Sequence, residues 1–113
     1  MLALTAPGVH AACGISGLYD LRPIRRTYLN AALAMDDAVA ERSSPLLNLR
    51  AEPVPMVLAY GAREGSEFRR QSRELGARYP APVYELPDKD HYTATEALLE
   101  DGPLQSAVME LFR

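Results

Sequence analysis

Three loops of this sequence carry side chains that can hold or move protons, and each follows a short apolar run. Ser16 and Asp20 follow the first run, Glu64 and Glu67 the second, and Asp90 and His91 the third. A carboxylate after one strand and a histidine after the next is what general-base chemistry on a hydroxyl requires. The acid bonds one ring nitrogen and fixes the tautomer, and the other nitrogen takes a proton from the nucleophile. The competing reading is that Glu64 caps the helix after it and His91 is an ordinary loop residue. A nucleophile is harder to find. Ser16 lies in Gly14-Ile15-Ser16-Gly17-Leu18, which misses the G-x-S-x-G pattern because its second glycine comes one place early. Ser43, Ser44, Ser66, Ser72 and Ser106 read as caps or helix positions. Cys13 sits inside an apolar run, where a thiol is usually inert packing.

Positioning those loops falls to alternating strands and helices. Val9 to Ile15 is a run of small and apolar residues without a helical period, which suits a strand buried on both faces. Asp20 in the loop after it can bond nearby backbone amides, and Pro23 can open a helix. From Ile24 to Met35, Tyr28, Ala31, Ala32 and Met35 recur at helical spacing, and a second short helical piece runs from about Asp36 to Arg42. Leu46, Leu47 and Leu49 form an apolar plug before a linker from Pro53 to Pro55. Met56 to Tyr60 predicts a second buried strand, with Gly61 permitting a sharp turn that leaves Glu64 just past its carboxyl end. Phe68, Ser72, Leu75 and Tyr79 share a helix face that ends near Pro80, and Val83 to Leu86 predicts a third strand. Thr93-Ala94-Thr95-Glu96 has the spacing of a capping box before a last helix that buries Leu104, Ala107, Val108, Leu111 and Phe112. This order implies right-handed crossovers and a parallel sheet whose carboxyl ends bring the three loops to one side.

Composition narrows the function classes. At 113 residues, 48% apolar and 24% charged, the chain is about one ordinary globular domain. Its net charge of −3 comes from acids and bases mixed along the chain, which argues against a nucleic-acid surface. The local cluster Arg22, Arg25 and Arg26 reads as a solvated helix start. One cysteine and two histidines, His10 and His91, leave no intrachain disulfide and no cysteine- or histidine-rich metal site. No apolar run approaches a membrane span and Met1 to Leu4 lacks the form of a signal peptide, so a reducing, cytoplasmic home is the expectation.

The runs from Ile15 to Pro23, Ser44-Pro45-Leu46, Gly61-Ala62-Arg63-Glu64 with Glu67 to Ser72, and Asp90-His91-Tyr92 resemble a known group. They look like the carboxyl-terminal part of α/β-hydrolases of the arylformamidase (kynurenine formamidase) and related esterase group, across nearly the whole chain. The resemblance implies a partial α/β-hydrolase fold: one incomplete domain over residues 1–113, with about three parallel strands and flanking helices. It implies a serine hydrolase acting on carboxylic esters or N-formyl aryl amides, without a cofactor or metal. His91 would be the general base. Glu64, standing where the family usually has Asp, would be the orienting acid, with Glu67 as the fallback.

The family's nucleophile elbow and H-G-G oxyanion motif precede the equivalent of Met1. The resemblance therefore implies a chain carrying only the acid and the histidine, inactive alone. Its first strand would present an unpaired apolar edge, open to a missing amino-terminal half or to self-association. Two other classes remain open on the residues. One is a non-catalytic interaction subunit that completes its sheet on another polypeptide. The other is a small α/β ligand-binding domain using the same crevice without chemistry.

Overall fold

In the computed structural model, residues 8–23, 34, 36–49, 54–79 and 81–111 are described. Most of the amphipathic stretch from Ile24 to Met35, together with Arg25, Arg26, Met1 to Leu4, Pro53, Pro80 and Phe112, lies outside those residues. Strand β1 (Ala12–Ile15) is followed by helix α1 (Asp37–Ser43) and a 3-10 turn at Pro45–Leu47. Strand β2 (Met56–Gly61), helix α2 (Ser66–Arg78) and strand β3 (Val83–Leu86) come next, then a 3-10 stretch at Ala94–Leu99 and helix α3 (Pro103–Leu111). The strands form one sheet in the order β1-β2-β3, parallel throughout. This is the expected α/β architecture.

The central strand explains the two-layer packing. All six residues of β2 are buried, and its side chains alternate between the faces of the sheet. Met56 and Leu58 join Tyr19, Leu46, Leu75 and Tyr79 on one face. Val57 and Ala59 join Leu86, Ala94, Ala97 and Leu104 on the other. Continuous hydrophobicity in β2 is thus what a strand covered on both sides requires.

Several local expectations are corrected. The first strand is shorter than Val9 to Ile15, although it lies at an edge of the sheet as expected. Thr93 makes no capping bond to the segment after it, because its hydroxyl bonds Asp90 instead, and the chain forms a 3-10 stretch before Gly102 and Pro103 restart it as α3. Of the expected face of α3, Leu104 is buried while Ala107, Val108 and Leu111 are half-buried. In the Leu46, Leu47, Leu49 plug, Leu46 is buried and Leu47 lies exposed.

Gly61 does not supply a left-handed turn. Its reason is space: a Cβ there would collide with the backbone carbonyl of Lys89. The loops after β2 and β3 are also tied by the Ala62 N–H to the Leu86 carbonyl at 2.9 Å and the Arg63 N–H to the Lys89 carbonyl at 3.0 Å. Gly61→Ala should force these two backbones apart and cost about 3 kcal/mol of stability. Urea unfolding measures this, and an unchanged midpoint would show that the approach of the two loops relaxes freely.

Candidate functional site

The three loops converge at the carboxyl ends of the strands, as a parallel sheet dictates. Glu64 is the hub. Its side chain is 1% exposed, and its two carboxylate oxygens face different partners. Oε2 accepts the Gly61 N–H at 2.6 Å and the Ser16 hydroxyl at 2.7 Å. Oε1 lies 2.8 Å from His91 Nδ1. A carboxylate only accepts hydrogen bonds, so Nδ1 carries the proton in this pair, and in the neutral ring Nε2 is then the acceptor. His91 is 54% exposed, so its other ring nitrogen can be reached from outside the chain.

The longer arm of glutamate fits this geometry. Glu64 N–H bonds back to the Gly61 carbonyl at 3.0 Å, and the side chain curls toward the same residue's N–H. It caps the end of its own strand while still reaching the next loop. Glu64 does not cap α2, whose N-cap Gly65 makes no side-chain bond. Glu67, the fallback acid, is committed elsewhere: it bonds the Arg70 guanidinium and the Gln71 amide. The Arg70 bond holds its carboxyl below the usual carboxylate range.

His91 is held by its own loop. Asp90 Oδ1 accepts the backbone N–H groups of Tyr92 and Thr93, each at 2.9 Å, making a turn around the histidine. The Thr93 amide keeps the Asp90 carboxyl low. The Phe68 ring packs beside the imidazole at 5.1 Å between centroids, and the exposed Tyr92 meets it edge-on at 5.8 Å. The histidine thus has an aromatic surround, and among the described residues only its Nδ1 has a hydrogen-bond partner.

The loop after β1 is fixed from below by a residue that sequence reasoning passed over. Gln71 is fully buried on α2, and its Oε1 accepts the N–H groups of Tyr19 and Asp20 at 2.7 and 2.8 Å. Its Nε2 donates to the Asp20 carbonyl at 2.9 Å. Ser44 Oγ accepts the Leu21 N–H and donates to the Ala40 carbonyl, and the Leu46 N–H bonds the Tyr19 carbonyl. A lone glutamine on a polar helix gives no periodic signal, which is why it escaped notice.

Asp20 is tied to a neighbour in its own loop. It is buried, and Arg22 grips it through Nε at 2.9 Å and Nη2 at 2.7 Å, with the Arg22 N–H at 3.0 Å. These bonds hold the Asp20 carboxyl below its ordinary range against the opposing effect of burial. A carboxylate depressed in the folded state stabilises fully above its ordinary value, and that contribution is lost as pH falls through the lower folded value. Unfolding free energy should therefore decline from about pH 4 downward. Asp20→Asn should flatten that decline, and because Glu67 and Asp90 are also held low, the single-site comparison isolates Asp20. Urea titrations at several pH values check this; parallel pH curves for the two proteins would refute it.

Cys13 is half-buried in β1, and burial pushes its thiol up, away from the reactive thiolate. Among the described residues, no group of three His, Cys, Asp or Glu side chains is placed to hold a metal ion, and no helix is long and apolar enough to cross a membrane.

No family model matches the chain. It is 32% identical over 105 residues to a kynurenine formamidase from Salmo salar, covering 83% of this chain and 36% of that protein. The chain is a homologue of the kynurenine formamidases. A second relative of that name, from Danio rerio, is 29% identical over 114 residues, covering 92% of this chain and 39% of the relative. Among solved structures, a candidate thioesterase from Silicibacter sp. superposes with a TM-score of 0.78 at 26% identity, covering 88% of this chain and 38% of that one. The chain therefore spans less than two fifths of the length of each of these relatives. Their names are those of hydrolases, and a hydrolase-type function is the class this similarity supports.

Proposed function

We propose that this chain supplies the acid and the base of a serine hydrolase acting on carboxylic esters or N-formyl aryl amides, in a reducing, cytoplasmic setting. The observation that carries the reading is the Glu64–His91 bond between two loops at the carboxyl ends of neighbouring strands. Glu64 holds the Nδ1–H tautomer, and Nε2 takes the hydroxyl proton of a serine as it attacks the carbonyl carbon. The same nitrogen then protonates the leaving amine or alcohol. The serine and the oxyanion donors come from polypeptide outside these 113 residues.

Two measurements test this. The chain alone should not turn over a short-chain aryl ester. Mixed or co-expressed with the part of the Danio rerio kynurenine formamidase that it does not match, it should support hydrolysis that His91→Ala abolishes. Turnover by the chain alone, lost in His91→Ala, would mean that the nucleophile lies within this chain.

A second reading has its own support. Strand β1 is an edge, and Cys13 and Ile15 on it are only partly buried, packed at the margin of the second core cluster. The N–H groups of Ala12 and Ser16 pair with the Pro55 and Ala59 carbonyls, so the intervening Cys13 and Ile15 backbone points away from β2. Such an edge accepts another strand, and the chain would then be an interaction subunit without chemistry of its own. Gel filtration separates the two: a stable monomer disfavours the subunit reading, and an obligate dimer favours it.

A further inference from the structure

We infer that Ser16 is a positioning residue for the acid–base pair, acting through Glu64; this deepens the function proposed above and rests on it. Ser16 stands at the end of β1 with φ of 54°, in the left-handed region that non-glycine residues rarely enter. Its neighbour Gly17 does not adopt a positive φ, although glycine would do so without steric cost. The strained residue is thus the one with a hydroxyl. That hydroxyl donates to Glu64 Oε2 at 2.7 Å, across 48 residues of sequence.

The bond has a directional effect. Ser16 and the Gly61 N–H together occupy Oε2, which leaves Oε1 to face His91. A carboxylate on a flexible stem can otherwise rotate and share both oxygens among its donors. With Oε2 held on two sides, the carboxylate is fixed in the orientation that keeps the proton on Nδ1. The same contact argues against Ser16 as the nucleophile, because its hydroxyl is directed at the acid and not at the free ring nitrogen.

The test reads the imidazole directly and needs no turnover. In mildly alkaline buffer, the ¹⁵N shifts of His91, seen through its carbon-bound ring protons, report the ratio of the two neutral tautomers. The Nδ1–H form should dominate in the parent chain. Ser16→Ala and Ser16→Gly should both shift the ratio toward Nε2–H by about tenfold, the lower end of what one hydrogen bond to a charged group is worth. The glycine variant removes the backbone strain as well as the hydroxyl, so it keeps the test valid if the alanine variant folds poorly. Glu64→Gln serves as the reference. An unchanged ratio in both Ser16 variants, with a changed ratio in Glu64→Gln, would reduce Ser16 to a loop residue and overturn the inference while leaving the proposed function standing. A ratio unmoved even by Glu64→Gln would sink the acid–base pair itself. Labelling of Ser16 by a fluorophosphonate would also overturn the inference, by showing a nucleophile where a positioning hydroxyl is expected.

Discussion

Glu64→Gln is expected to lower the kcat of the completed hydrolase by about four orders of magnitude while changing KM little. The size follows from which atom goes where. The Gly61 N–H and the Ser16 hydroxyl both need an acceptor, so the amide oxygen of the new side chain turns to them. Its NH2 group then faces His91 Nδ1, where Glu64 Oε1 stood 2.8 Å away. An NH2 group only donates, so Nδ1 must accept and the ring proton moves to Nε2. The nitrogen that should take the proton of the nucleophile already carries one. Glu64→Asp should also lose activity, because shortening the arm by one carbon–carbon bond, about 1.5 Å, breaks either the Gly61 contact or the His91 contact. Steady-state kinetics on an aryl ester decides the matter, and a Glu64→Gln enzyme within tenfold of the parent would rule out Glu64 as the orienting acid.

The second large effect is on folding. Gln71→Leu should cost about 4 kcal/mol, because it preserves bulk but removes the partners of three buried backbone groups in the loop after β1. The Tyr19 and Asp20 N–H groups and the Asp20 carbonyl would be left in a buried site without hydrogen bonds. Unsatisfied buried groups cost about 1–3 kcal/mol each, and some relaxation toward water reduces the sum. For a domain of this size that loss is a large share of total stability. Urea unfolding should show a clear fall in midpoint, with Gln71→Glu intermediate because its carboxylate can still accept from the two amides. A Gln71→Leu chain as stable as the parent would mean that the loop finds other partners.

The parallel strands and the loops that hold Glu64 and His91 were legible in the sequence because they rest on local signals. The continuous apolar run of β2 announces a strand covered on both faces, and the alternation with helices then dictates which end of the sheet gathers the loops. What was not legible depends on partners far along the chain. Gln71 anchors residues 51 and 52 positions away, and nothing in its own neighbourhood shows that. Gly61 read as a turn former, and the chain does turn there, but the room it also gives the Lys89 carbonyl has no local signal. The Thr93 to Glu96 run had capping-box spacing, but Asp90 competes for the Thr93 hydroxyl. The resemblance to the kynurenine formamidase group was carried by the SGLYDLRP and EFRRQS runs, and the structure explains their pairing: the first is the loop after β1, and Gln71 of the second is what holds it.

The bonds that join the candidate site span long stretches of chain, with 48 residues between Ser16 and Glu64 and 27 between Glu64 and His91. Each parallel pairing must close a long loop before it gains any contact, which makes such sheets slow to assemble. Local helices can form while these three residues are still far apart. The pair and its clamp should consequently be among the last features to appear during refolding, so the imidazole signal of His91 would follow the completion of the sheet in time.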